Sequence, residues 1–112
     1  MITKIEYSDK YKKDLKKLKR NYEDMKNITK TENLMKQFGS VQDFVEDSFI
    51  KTQYDCERKK YDLSGYYGIN PNGHSGKLRI IFKINKEENT FYLKGISRDH
   101  YEDFKKYRKG KW

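Results

Sequence analysis

The sequence predicts a small α+β domain spanning 1–112, with N-terminal helices packed on one face of a twisted antiparallel sheet and a short C-terminal helix. Two patterns carry that expectation. Through the first half, apolar residues recur at steps of three and four, the period of a helix face. Through the second half they alternate at steps of two between clusters of Gly, Pro and Asn, the pattern of strands joined by tight turns. The length, 112 residues, suffices for one modest core and no second domain.

The elements follow in order. Residues 2–8 (ITKIEYS) alternate Ile2, Ile5 and Tyr7 with polar neighbours, imperfectly but enough for a short first strand. Ser8 or Asp9 can then cap a helix. From there Tyr11, Leu15, Leu18, Tyr22 and Met25 form an apolar stripe, while Lys12, Lys13, Lys16, Lys17, Lys19 and Arg20 occupy the opposite face. Such a basic face is either solvated or laid against phosphates. Thr31 to Phe38, apolar at Leu34, Met35 and Phe38, predicts a second helical piece stopped by Gly39. Ser40 with Asp43 resembles a capping box with Asp in place of Glu. Val41, Phe44, Val45 and Phe49 give the next helix its apolar face, although 21–51 also accommodates fewer, longer helices.

Residues 63–70 (LSGYYGIN) predict a strand, and 71–76 (PNGHSG) a turn. In 77–85 (KLRIIFKIN), Leu78, Ile80, Phe82 and Ile84 take one face, and Lys77, Arg79, Ile81 and Lys83 the other. A turn over Lys86–Asn89 leads to a strand over 90–98, with Phe91 and Leu93 toward the core; Tyr101, Phe104 and Tyr107 then suggest the final helix. With a four-residue turn at 86–89, residues paired across this hairpin have numbers summing to 175, placing Arg79 opposite Ile96 and Arg98 opposite Lys77. Both arginines would share a face with Lys77, Lys83 and Lys94. Like charges crowded in this way call for an anion among them.

Composition narrows the function classes. Lys and Arg number 26 against 17 Asp and Glu, a net charge of +9, which favours polyanions: nucleic acid or a strongly acidic protein. The hydrophobic fraction is 34%, but ten tyrosines and six phenylalanines supply core bulk. Cys56 is the only cysteine, so it makes no disulfide within these residues and is expected to be a packed thiol. No cluster of metal-ligand type stands out, so no cofactor or metal is expected. No apolar run approaches a membrane span or a signal-peptide core, and a soluble cytoplasmic protein is expected.

A face that binds RNA needs cations and aromatics. A face that cuts RNA also needs a base for the 2′-hydroxyl, a cation for the growing phosphate charge and an acid for the leaving oxygen. Of the two histidines, His74 falls in a turn and reads as a loop residue. His100, beside Arg98 and Tyr101 at a strand end, is the better acid.

In this order, Leu63-Ser64-Gly65-Tyr66, Arg79 before Ile80-Ile81-Phe82, and Arg98-Asp99-His100-Tyr101 resemble the RelE/ParE superfamily of bacterial toxins, and within it the YoeB branch. Glu57, six residues before Leu63, matches the branch's catalytic glutamate, and Lys60 matches a family lysine. The resemblance covers residues 54–101, and the first twenty in pattern only. The chain departs from the family in lacking Lys or Arg in the second strand (YYGIN), in a longer loop at 70–76, in a longer segment 21–53 and in the run EDFKKYRKGKW after Tyr101.

The resemblance implies a RelE-like fold and a type II toxin that cleaves mRNA on the ribosome and so inhibits translation, without a metal. It makes Glu57 the general base and Arg79 the stabiliser of the phosphorane-like transition state. His100 becomes the general acid and Tyr101 orients or stacks on the substrate, while Lys60, Lys77, Lys83 and Arg98 contact phosphates. It implies an acidic antitoxin as partner, in a hetero-oligomeric complex, besides the ribosome with mRNA in its decoding site. A gyrase-poisoning toxin of the ParE type and a non-catalytic basic RNA-binding module are the alternatives.

Overall fold

The computed structural model describes residues 3–59, 65–73 and 76–98. A first strand, β1 (Lys4–Tyr7), leads into α1 (Asp9–Lys17), α2 (Tyr22–Gln37), α3 (Val41–Glu46) and α4 (Ser48–Gln53). Four strands follow: β2 (Glu57–Arg58), β3 (Tyr67–Ile69), β4 (Arg79–Asn85) and β5 (Thr90–Ser97). They form one sheet in the order β1-β5-β4-β3-β2. The α+β class is as the sequence predicts. The sheet is mixed because β1 joins β5 in parallel, while the other three pairings are antiparallel.

Helix boundaries follow capping side chains. Ser8 Oγ accepts the Tyr11 N–H at 3.0 Å and donates to the Lys94 carbonyl, so it both starts α1 and ties it to β5. The predicted stripe from Tyr11 to Met25 is cut in two. The Leu18 N–H turns back to the Leu15 carbonyl, and Asn21 Oδ1 accepts the Asp24 N–H at 3.1 Å to begin α2. That break changes the helical phase and leaves Tyr22 81% exposed. Ser40 caps α3 through the Asp43 N–H, as its spacing predicts. Asp47 then ends α3 and caps α4 through the Ile50 N–H, so Ile50 is buried and Phe49, expected on the apolar face, is 58% exposed.

The helices cover one face of the sheet. Tyr11, Leu18, Ile28, Met35 and Phe44 pack with Ile69, Ile80, Phe82, Phe91 and Leu93 in one core. Phe44 meets Phe38 and Phe91 edge-on at 5.2 Å in each case. Truncating Phe44 to alanine should cost about 3–5 kcal/mol, through lost transfer energy and the cavity left behind. Among the described residues no helix is long and apolar enough to cross a membrane.

The β4–β5 hairpin corrects one expectation. Near the turn the pairs sum to 175, as in Lys83 with Tyr92. A β-bulge then inserts Lys94: Phe82 pairs Leu93, Ile81 pairs Gly95, and Arg79 lies opposite Ser97 rather than Ile96. A one-residue shift sends all later side chains to the other face. Arg98 therefore does not share the face of Arg79. Its guanidinium Nε lies 3.6 Å from the Asp24 carboxylate, on the helical side.

Candidate functional site

The face of the sheet away from the helices is built in rows of paired residues. Glu57 pairs Gly68, Gly68 pairs Ile81, and Ile81 pairs Gly95. Directly opposed residues point to the same side of a sheet. Ile80 and Phe82 face the core, so Glu57 and Ile81 face the other way. Arg79, two residues along β4 from Ile81, shares that outer face. With strands about 4.8 Å apart and about 3.3 Å per residue, the Glu57 and Arg79 Cα atoms are about 12 Å apart. A carboxylate and a guanidinium on stems of that reach can converge on one phosphate group.

Their settings differ. Arg79 is 8% exposed, and its NH1 donates to the Gly76 carbonyl at 2.7 Å and to the Leu78 carbonyl at 2.9 Å. Backbone carbonyls thus hold its charge in place. The Glu57 side chain is 66% exposed, and one carboxylate oxygen accepts from Lys59 Nζ at 3.0 Å. An exposed pair of this kind is worth about 0–1 kcal/mol, so Glu57 can exchange Lys59 for another donor at little cost.

The backbone entering β2 is clamped. Asp55 adopts φ of 48°, a left-handed conformation rare for residues other than glycine, although Asp tolerates it better than most. Buried Asn70 holds it from β3's end: its Nδ2 donates to Asp55 Oδ2 at 2.8 Å and its N–H donates to the Tyr54 carbonyl at 2.7 Å. Between Asp55 and Glu57, Cys56 is buried, and burial pushes its thiol up to about 12. It is a packed residue here, as its isolation in the sequence suggests.

The other predicted positions divide. Lys83 is exposed, with Nζ 4.5 Å from the Tyr66 ring centroid, so a cation rests on an aromatic beside the Glu57 row. Lys77 is exposed just before β4. Arg98 lies just past β5, on Asp24. Lys60, His74, His100 and Tyr101 lie outside the described residues, as does the expected C-terminal helix. The structure thus brings Glu57, Arg79 and Lys83 onto one face and sets Arg98 apart. Among the described residues no three of His, Cys, Asp and Glu gather as metal ligands would.

Pattern reading passed over Asn70, Asp55 and Asp24. Only Asp55 carries a signal, as a residue type that tolerates the positive φ where no glycine stands near. Asp24 is a hub: Oδ1 accepts from Asn72 Nδ2 at 2.9 Å, Asn72 Oδ1 accepts from Asn27, and the same carboxylate meets Arg98. It ties α2 to the 70–76 loop and to the end of β5.

Solved structures share this fold. The E. coli DinJ–YafQ toxin–antitoxin complex matches with a TM-score of 0.62 at 16% identity, covering 88% of this chain and 93% of that one. A metal-bound toxin from Helicobacter pylori matches at 0.60 and 26% identity, covering 88% and 94%. The YoeB/ParE toxin from Agrobacterium tumefaciens matches at 0.62 and 14% identity, covering 88% and 100%. No protein-family model and no curated sequence matches the chain. What these likenesses show is the fold.

Proposed function

We propose, from the premise that this chain has the RelE/YoeB/ParE toxin fold, that it is the toxin of a type II toxin–antitoxin pair and cuts mRNA on the ribosome. The observation that supports this most is the placement of Glu57 and Arg79 on one outer sheet face, in neighbouring rows, with the end of β5 beside Arg79 through its Ser97 pairing.

The chemistry follows from those groups. The Glu57 carboxylate takes the proton of the 2′-hydroxyl, and the freed oxygen attacks the adjacent phosphorus. Charge grows on the non-bridging oxygens, and Arg79, already fixed by backbone carbonyls, stabilises it without reorganising. The bond from phosphorus to the 5′-oxygen breaks as His100 donates a proton to that oxygen. The products are a 2′,3′-cyclic phosphate and a 5′-hydroxyl. Tyr101 orients the substrate, and Lys60, Lys77 and Lys83 draw in the RNA backbone, whereas Arg98, turned to Asp24, takes no part. Protons and electrons balance with no metal.

The net charge of +9 calls for an acidic partner between episodes of activity. We assign that role to a cognate antitoxin in a hetero-oligomeric complex, in the cytoplasm where ribosomes are. Among the similar structures YafQ stands in such a complex with DinJ.

The test is primer extension on an mRNA being translated in a purified system, with a ribosome-free control. Cuts at ribosome-positioned sites are expected from the native protein. Glu57→Gln and His100→Gln should each lower the rate by about 10²–10⁴-fold, the share of a general acid or base. A 2′-deoxy substitution at the cut site should stop the reaction. Cutting that survives Glu57→Gln, or that proceeds on the deoxy substrate, overturns the mechanism. Uncut message with inhibited DNA supercoiling would move the chain to the gyrase-poisoning reading.

A further inference from the structure

We propose that a cleft at the β2 edge of the sheet is a nucleotide subsite, in which Gln42 reads the base and three basic side chains hold the phosphate. The cleft measures about 550 Å³ and runs between α3–α4 and the β2 edge. Its wall includes Gln42 and Glu46 of α3, Lys51 of α4, Glu57 and Arg58 of β2, and Lys86 from the β4–β5 turn. That volume falls in the range of small-ligand pockets and holds one nucleotide with room for its sugar.

Two features select the ligand. Lys51, Arg58 and Lys86 come from three separate elements and outnumber the acids Glu46 and Glu57, so the cleft favours an anion. Arg58 adds the planar fork that suits phosphate. The second feature is Gln42. Its Nε2 donates to Glu46 Oε1, which fixes the sense of the amide: the nitrogen must face the carboxylate, so the oxygen faces elsewhere. That oxygen is buried and has no hydrogen-bond partner among the described residues. A buried acceptor without a donor is costly and uncommon, and the natural remedy is a ligand N–H. The last torsion of a glutamine side chain is soft, so the amide can turn its oxygen toward a donor in the cleft, exchanging its bond to Glu46 for one to the base. Guanine presents two adjacent donors, at N1 and the exocyclic amine, and is the base that best suits an acceptor beside a carboxylate.

The proposal extends the nuclease reading, because Glu57 lies on the cleft wall as well as on the outer face. A nucleotide held here would sit next to the one being cut and make the cleft a determinant of sequence preference. The helices that form it, α3 and α4, lie in the segment 21–53.

Equilibrium binding tests it without cleavage, by isothermal titration with GMP and with ribose 5-phosphate, which has the sugar and phosphate but no base. GMP should bind the native protein on the order of tenfold more tightly than ribose 5-phosphate, the factor of one well-made hydrogen bond. Gln42→Met, similar in size but without the acceptor, should erase that preference. Lys86→Ala, at an exposed turn where folding is not at stake, should weaken both ligands alike. Equal binding of the two ligands by the native protein, no binding of either, or a preference that survives Gln42→Met would each overturn the assignment. Binding measured in this way stands or falls apart from catalysis. Active Glu57→Gln protein would sink the nuclease mechanism and leave the subsite intact.

Discussion

The backbone N–H of Ile96 donates to Asp14 Oδ2 at 2.9 Å, joining α1 to β5 across 82 positions of sequence. The bond lands beside the bulge at Lys94, where the hairpin changes register. Asp14 is 8% exposed and is steadied by Lys10 Nζ at 2.8 Å. A helix side chain thus holds the shift that sets Ser97 opposite Arg79 and turns Arg98 to Asp24.

Asp14→Ala should therefore leave a buried N–H unpaired and cost about 1–3 kcal/mol. Thermal unfolding should show it as a drop in Tm of about 4–8 °C per kcal/mol for a domain near this size. Asp14→Asn keeps an oxygen for the Ile96 N–H and should recover most of the loss. Lys10→Ala should lose less than Asp14→Ala, since the ion pair only steadies the carboxylate. An Asp14→Ala protein as stable as the native one would show that the bulge needs no such anchor.

Asn89 offers a second test, at the other end of the hairpin. It sits in the left-handed region with φ of 51°. Its Nδ2 donates to Thr3 Oγ1 and to the Gly39 carbonyl, its Oδ1 accepts the Val41 N–H, and its own carbonyl accepts the Lys4 N–H. One turn residue thereby joins β1, the end of α2 and the start of α3. Asn89→Gly keeps the backbone conformation and loses the side-chain bonds. Asn89→Ala loses both and should be less stable than the glycine variant by about 1 kcal/mol. Urea midpoints in the reverse order would contradict this.

These two residues show what pattern reading can reach. The helical stripe and the alternation of Leu78, Ile80, Phe82 and Ile84 report burial directly, because one face must leave water. They gave the class, the turn at 86–89 and the Ser40 cap. A bulge leaves no such trace: Lys94 alternates acceptably in either register, and what decides is an aspartate 80 positions earlier in the chain. The same holds at the site. The expectation for Glu57 rests on family resemblance, since its charged neighbourhood looks like any surface. The bonds of Asn70 to Asp55 and Tyr54, and of Gln42 to Glu46, arise only from what folding sets beside them. The break at 18–21 leaves no trace in the pattern, because the three-and-four spacing of Leu18, Tyr22 and Met25 runs through it unbroken.

The pair Tyr7 and Tyr11 predicts how stability depends on pH. Their hydroxyls donate to the two carboxylate oxygens of Glu32, each at 2.8 Å. Burial first, then the hydrogen bond and charge of Glu32, push Tyr7 up to about 12, and burial with the same carboxylate raises Tyr11 further. Both folded values lie above the unfolded value near 10, so folding favours the protonated phenols. Their contribution is complete below about pH 10 and is lost as pH rises through the folded values. Urea midpoints should fall from pH 10 upward, and the fall should be shallower in a Tyr7→Phe/Tyr11→Phe variant. Parallel curves for the two proteins would assign the alkaline loss to other groups.

The last prediction concerns the clamp on Glu57. Holding Asp55 at positive φ costs on the order of 1 kcal/mol, and such strain persists only where surrounding bonds impose it. Asn70 imposes it, with one bond to the Asp55 side chain and one to the Tyr54 backbone. Two residues on, β2 is only two residues long, so little else fixes the direction in which Glu57 leaves the sheet. If Glu57 is the general base, its aim depends on Asn70. Asn70→Ala should lower kcat for mRNA cleavage by about 10- to 100-fold, the scale of a misplaced catalytic group, with KM nearly unchanged because no substrate contact is removed. Asn70→Asp, which keeps the size but sets two carboxylates together, should do no better at neutral pH. It should recover activity as the pH falls and the pair takes up a proton. A purely structural role would instead lower activity only in proportion to the fraction of folded protein, with no such pH response. Full kcat in Asn70→Ala would separate the strained turn from the chemistry altogether.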